Sequence, residues 1–402
     1  MLPELRRRFN EQWRPELYAE FLRRIDDVAG THVDFRCSET PIFFPKPLLE
    51  KMSRYGQELY QQLAHNGEYR KASDAAIPAR FRVPNEAEHP LFVQADFGLV
   101  REPDGTIEPK LVEIQGFPSL YAFQPALAEV YRRVYGLDQN LRTFLCGLDE
   151  KAYAKLLRHA ILGGHAPENV ILLEIDPYEQ KTLADFLLTR KLLGIRIASI
   201  TDIKKKGRKL YFEGIEVKRI YNRAIVDELL RKNVQADFEF TDDLDVEWAG
   251  HPNWFFRLSK FSLPWLRHVC VPETRFLSDV KKLPDDLQDY VLKPLYSFAG
   301  LGVQISPSRD EIRAIPESEK SNFILQRKMD FVPTVETPSG MTKLETRIMY
   351  IWDGELKPVT TIIRTGRGKM MGVDFNKDLD WVGASAGFYP PEWAENSDHN
   401  VR

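Results

Sequence analysis

A chain of 402 residues, 43% hydrophobic and 29% charged, is long enough for two or three domains around a sizeable core, which excludes a disordered or fibrous protein. Its 56 Lys and Arg against 59 Asp and Glu leave a net charge of −3, excluding a general attraction to nucleic acid or anionic membrane. Three widely spaced cysteines, Cys37, Cys146 and Cys270, contain no C-x-x-C pair and exclude a disulfide scaffold or a zinc ribbon. The chain runs from Met1 straight into Glu4, Arg6, Arg7 and Arg8, and no apolar stretch nears the roughly 20 residues of a membrane span. The expectation is a cytoplasmic protein.

In chain order, residues 2–63 read as helices broken by a loop at 38–47. Residues 91–100 read as a buried strand, Pro103, Asp104 and Gly105 supply turn chemistry, and 110–115 return as a second strand, so the two predict a hairpin. A helix is expected over 125–135. The apolar run 169–175, a helical pattern over 179–193 stopped by Gly194, and a strand at 195–200 predict a β-α-β unit and a parallel sheet. The basic run 204–209 around Gly207 reads as a solvated hairpin turn in preference to a nucleic-acid patch. Strands follow at 290–293, 303–305, 323–326, 344–352 and 359–364. Domain boundaries are expected near 165 and 250, dividing the chain into 1–165, 166–250 and 251–402.

The strongest chemical signal is a strand delivering Lys293, then a loop containing Ser297, Gly300 and Gly302, then a resumed strand at Val303. Glycines let backbone N–H groups approach phosphates closely, and the lysine adds a compact positive charge. Neither a P-loop nor G-x-G-x-x-G occurs. A second lysine, Lys260, lies 33 residues earlier. Residues Gly383 to Gly387 match G-x-S-x-G, but a nucleophile elbow needs a following helix, an acid and a histidine, and Pro390-Pro391 forbids the helix. The eight histidines have no metal-binding spacing.

Two spaced lysines, the K-P…G-x-G-V loop and the strand running into Gln326, Arg327, Lys328 and Met329 resemble the ATP-grasp superfamily. The resemblance implies that Lys260 and Lys293 hold ATP phosphates, that Ser297, Gly300 and Gly302 belong to a lid loop, and that Gln326 to Met329 form the adenine hinge. Gln326 stands where that family usually has glutamate. No Glu-x-Asn follows Asn376, but the early hairpin carries Asp96, Glu113 and Gln115, and residues two apart on a strand share a face. With Pro118 and Ser119, this hairpin is similar to the glutathionylspermidine synthase family and eukaryotic glutathione synthetase, the circularly permuted ATP-grasp groups. In those families it supplies the magnesium ligands, which implies Asp96, Glu113 and Gln115 here, with Gln115 in place of asparagine.

The fold expected from this resemblance is an α/β, circularly permuted ATP-grasp assembly with a central β-α-β domain and an N-terminal helical part. The implied activity is an ATP- and Mg2+-dependent ligase joining a small-molecule carboxylate to an amine through an acyl phosphate. The resemblance implies Arg364 and Arg347 as catalytic residues, a planar fork of donors suiting a transferring phosphoryl group, and for Arg347, with Glu345, a cross-strand salt bridge is the equal alternative. Ser119 and Asn376 are the expected substrate contacts. A non-catalytic nucleotide-binding protein of the same fold, for which Gln115 speaks, and a phosphotransferase are the alternatives.

Overall fold

A computed structural model of the chain describes residues 1–296, 301–368, 371, 376 and 378–391. It is a mixed α/β structure with several sheets. The largest contains the strands Phe92–Arg101, Ile107–Gln115, Gly340–Trp352, Leu356–Gly366 and Gly383–Ser385. Their order places 340–352 between 92–101 and 356–366, all antiparallel. The early hairpin and the C-terminal strands are therefore one sheet, although more than 220 residues separate them in the chain.

Strand alternation gives this sheet two unlike faces. On one, Val93, Ala95, Phe97, Leu111, Leu344, Ile348 and Tyr350 pack with Leu49, Met52 and Leu59 from the helix Lys46–Ala64. The helix lies so close that a Cβ on Gly56 would sit 2.0 Å from the Tyr350 hydroxyl. The opposite face carries Gln94, Asp96, Glu113, Gln115, Glu345, Arg347 and Arg364, whose registers align across four strands. An irregularity in the pairing beside Asp96 brings Asp96 opposite Glu113 while Phe97 faces Leu111.

The second sheet is parallel, with strands in the order Glu247–Ala249, Arg219–Asn222, Val170–Glu174 and Arg196–Ser199. The first two strands in sequence are 170–174 and 196–199, joined through the helix Leu183–Leu193, which ends at Gly194 in a left-handed conformation (φ 75°). The helix starts at Leu183, later than the expected 179, because Pro177–Glu179 forms a separate 3-10 turn. The basic run is a hairpin of Lys204–Lys206 on Lys209–Phe212 turning at Gly207. A third sheet pairs Thr274–Phe276, Phe323–Arg327, Tyr290–Pro294 and Gln304–Ile305. No helix among the described residues is long and apolar enough to cross a membrane.

Candidate functional site

The charged face of the largest sheet meets Lys293 from an inner strand of the third sheet, and Lys260, in one cluster. Lys293 reaches it from strand 290–294, with Nζ 3.4 Å from the carbonyl of Val112. Lys260, at the start of the short turn Lys260–Trp265, places Nζ 3.4 Å from Glu113 Oε2. Arg347 donates from Nε to Asp96 Oδ1 at 2.5 Å and from Nη2 to Asp96 Oδ2 at 2.6 Å, with Nη1 2.9 Å from Gln94 Oε1. Arg364 donates from Nη2 to Asp96 Oδ2 at 2.6 Å and from Nε to Glu345 Oε1 at 2.9 Å. Four cations thus face three carboxylates.

Electrostatics follow from that crowding. Burial pushes the Glu113 carboxyl up, but Lys260 first, then Arg347, Lys293 and Arg364, outweigh it and hold it down to about 2. Burial lowers the Lys293 ammonium to about 8, with Glu113 pulling it back up and Lys260 repelling it. Burial raises Glu345 despite Arg364 beside it. An excess of one positive charge, held where water is scarce, is an anion-binding arrangement.

The residues singled out from the sequence divide into three groups. Asp96, Glu113, Gln115, Lys260, Lys293, Arg347 and Arg364 are brought together. The three expected metal ligands converge, but on the guanidinium of Arg347 and not on an open position. With its amide oriented to satisfy both groups, Gln115 Oε1 accepts from Arg347 Nη2 at 2.6 Å and Nη1 at 2.8 Å. Gln326 is buried, and its Oε1 accepts from Lys293 Nζ at 2.6 Å while its amide donates to Thr274. Its side chain therefore orients the lysine.

The remaining expected positions are differently employed. Arg327 pairs outward with Asp286 and Asp289. The backbone N–H of Lys328 donates to Asp289 O at 2.7 Å, and half-buried Met329 follows the strand end. Gly302 adopts φ 72°, and a Cβ there would lie 2.9 Å from Pro294, so the turn needs glycine. Ser297 and Gly300 lie outside the described residues. Ser119 contributes its carbonyl, which accepts from Gln94. Asn376, expected to face substrate, uses Oδ1 to accept the N–H groups of Arg367 and Gly368 at 3.0 Å each, pinning the chain beyond Arg364. The G-x-S-x-G serine, Ser385, is buried and donates to Thr40 O at 2.6 Å.

A second constellation has no role assigned from the sequence. In an open parallel sheet, ligands bind beyond the carboxyl ends of strands where the connection reverses direction. Here that point lies between 170–174 and 219–222, which deliver Glu174, Asn222 and Arg223, all buried. Arg223 donates to Asp185 Oδ2 at 2.7 Å, and Asp185 also accepts the N–H groups of Leu120, Ala122 and Phe123. Among the described atoms, Asn222 Oδ1 and Arg223 Nε have no hydrogen-bond partner. The Arg223 guanidinium lies 5.8 Å from the Phe117 ring. Phe117 itself lines a cleft with Glu113, Gln115, Lys260 and Tyr296, so the two constellations adjoin. The sequence signal available was a polar residue closing each apolar strand.

Burial pushes the Glu174 carboxyl up to about 8, against the Ile175 N–H bond and Arg223. The folded state then holds a proton that the unfolded state releases near 4.5. Stability should fall as pH rises from about 4.5 to about 8, with a slope of about 1.4 kcal/mol per pH unit from this group. Glu174→Gln should flatten that part of a thermal-midpoint-against-pH profile. An unchanged slope would remove Glu174 as its source.

Fold comparison places this architecture in a class. The chain has a glutathione synthetase-like fold: it superposes on a glutathione synthetase-like effector from Globodera pallida, solved in its apo form, with a TM-score of 0.58 over 93% of this chain and 99% of that one. The two are 12% identical, so the likeness is one of fold. No protein-family pattern and no curated protein sequence matches the chain.

Proposed function

We propose that the chain is a nucleotide-dependent carboxylate–amine ligase of the circularly permuted ATP-grasp kind. The observation that carries this reading is the gathering of Lys260, Lys293, Arg347 and Arg364, drawn from separate parts of the chain, around the carboxylates of Asp96, Glu113 and Glu345. Such a concentration of buried cations suits a polyphosphate better than a neutral ligand. Acyl-phosphate chemistry needs no side-chain nucleophile, and among the described residues Ser385 is committed to Thr40 and the Cys37 thiol is buried and raised to about 12.

In this reading Lys260 and Lys293 hold the phosphates, with Gln326 fixing the second lysine. Arg364, itself held by Asp96 and Glu345, faces the transferring phosphoryl group. A substrate carboxylate oxygen attacks the γ-phosphorus and ADP leaves. The amine then attacks the acyl carbon, an amide bond forms and phosphate departs. The Glu174–Asn222–Arg223 crevice supplies a protonated carboxyl, an amide and a guanidinium for an acidic or amidic substrate.

Magnesium is the cofactor the resemblance implies, and the donor set does not fit it beside Arg347. Both oxygens of Asp96 accept guanidinium bonds, and the satisfied amide orientation of Gln115 directs its oxygen to the same group. This same observation favours the second reading, a non-catalytic nucleotide-binding protein. ADP release with a panel of amino acids, peptides and polyamines separates the two.

Nucleotide binding itself is tested at Lys293. Lys293→Met should weaken ATP binding at least tenfold, about 1.4 kcal/mol, in a calorimetric titration. Equal affinity in both proteins would remove the phosphate role. Wild-type affinity should also decline as pH rises past about 8, where the ammonium loses its proton.

A further inference from the structure

We infer that Arg347 is the resident cation of this site: its guanidinium stands where the oxygen ligands of the hairpin would otherwise gather a divalent metal. Two carboxylates and two amides surround it. Asp96 accepts twice, at 2.5 and 2.6 Å; Gln94 accepts at 2.9 Å; Gln115 accepts at 2.6 and 2.8 Å in its satisfied orientation; and Glu113 Oε1 lies 3.7 Å away. These are hard oxygen donors, the set that suits magnesium. They are used to satisfy a planar fork of N–H groups.

The arrangement is built into the sheet. Arg347 lies directly opposite Asp96 on the adjacent antiparallel strand, and Asp96 lies directly opposite Glu113 on the next. Gln94 and Gln115 pair across the same two strands, and Arg347 is only 8% exposed. An ion at roughly 2.1 Å from Asp96 Oδ2 would sit within about 5 Å of Arg347 Nη2, like charge facing like charge at low dielectric. Arg364 adds a second donor to that same oxygen.

The functional consequence, which rests on the nucleotide reading above, is that phosphates are held here without a metal on the hairpin. The metal arm of the test does not depend on that reading. Manganese(II), a paramagnetic substitute for magnesium, is titrated into the full chain and free ion is followed by electron paramagnetic resonance. Wild type should take up no ion at this site. Arg347→Met, which keeps the stem but removes the charge, should take up one equivalent, and adding Glu113→Gln should abolish that uptake. Wild-type uptake of one equivalent that Glu113→Gln removes would overturn the inference. So would failure of folded Arg347→Met to bind the ion.

The nucleotide arm compares ATP affinity in excess EDTA and in excess magnesium. Affinities within about threefold are expected. A tenfold or greater gain with magnesium would overturn the metal-free consequence. No ATP binding under either condition would overturn the nucleotide reading while leaving the manganese result to judge Arg347.

Discussion

Arg364→Ala is expected to reduce turnover roughly 10³-fold, the scale on which an arginine facing a transferring phosphoryl group acts. The reason is geometric. Its fork is aimed by Asp96 on one side and Glu345 on the other, so the charge is in place before reaction. Ground-state nucleotide affinity should change far less, since Lys260 and Lys293 remain. Arg364→Lys, which keeps charge but loses the fork, should recover only part of the rate. Both are read by ADP release under saturating nucleotide, with unfolding midpoints as a control for the buried Glu345. Loss of nucleotide binding with an intact rate for the bound complex would reassign Arg364 to binding.

Asp185→Ala is expected to destabilise the fold by about 3–5 kcal/mol, the cost of removing one partner from a buried ion pair. Asp185 and Arg223 are both essentially buried, and Asp185 also anchors three backbone N–H groups of the segment that follows the charged hairpin. Its removal leaves a guanidinium and those donors without their acceptor. The comparison is Arg208 with Asp243, an ion pair on the surface, where Asp243→Ala should produce no measurable shift. Urea unfolding followed by tryptophan fluorescence reads both. Equal shifts at the two positions would show that burial does not set the difference.

Several elements were legible in the sequence because their information is local. Alternation and turn residues marked the hairpin 92–115, and Gly194 ended the helix of the β-α-β unit. The charge row was partly legible too: Asp96, Glu113, Gln115, Arg347 and Arg364 were each singled out as members of one cleft. Strand parity predicts that Glu113 and Gln115 share a face.

Partnership was not legible. Parity assigns a face but not a neighbour, so it could not show that Arg347, 251 residues beyond Asp96, lies opposite it. Asp96 and Gln115 read as metal ligands in sequence and are guanidinium acceptors in the sheet. Asn376 and Gln326 were drawn toward substrate and adenine, yet buried polar atoms must be satisfied, and the nearest partners were a backbone turn and Lys293.

The sequence by itself determined several of the strands, among them those of the early hairpin and of the β-α-β unit, and which residues carry charge. Local steric preference and period-two alternation suffice for that. Tertiary structure alone decided that the hairpin joins the C-terminal strands, that the parallel sheet reverses beside Glu174 and Arg223, and that Arg347 takes the centre of the oxygen cluster. These depend on long-range pairing between strands, which no single segment encodes, and on the cost of leaving a buried charge without its opposite.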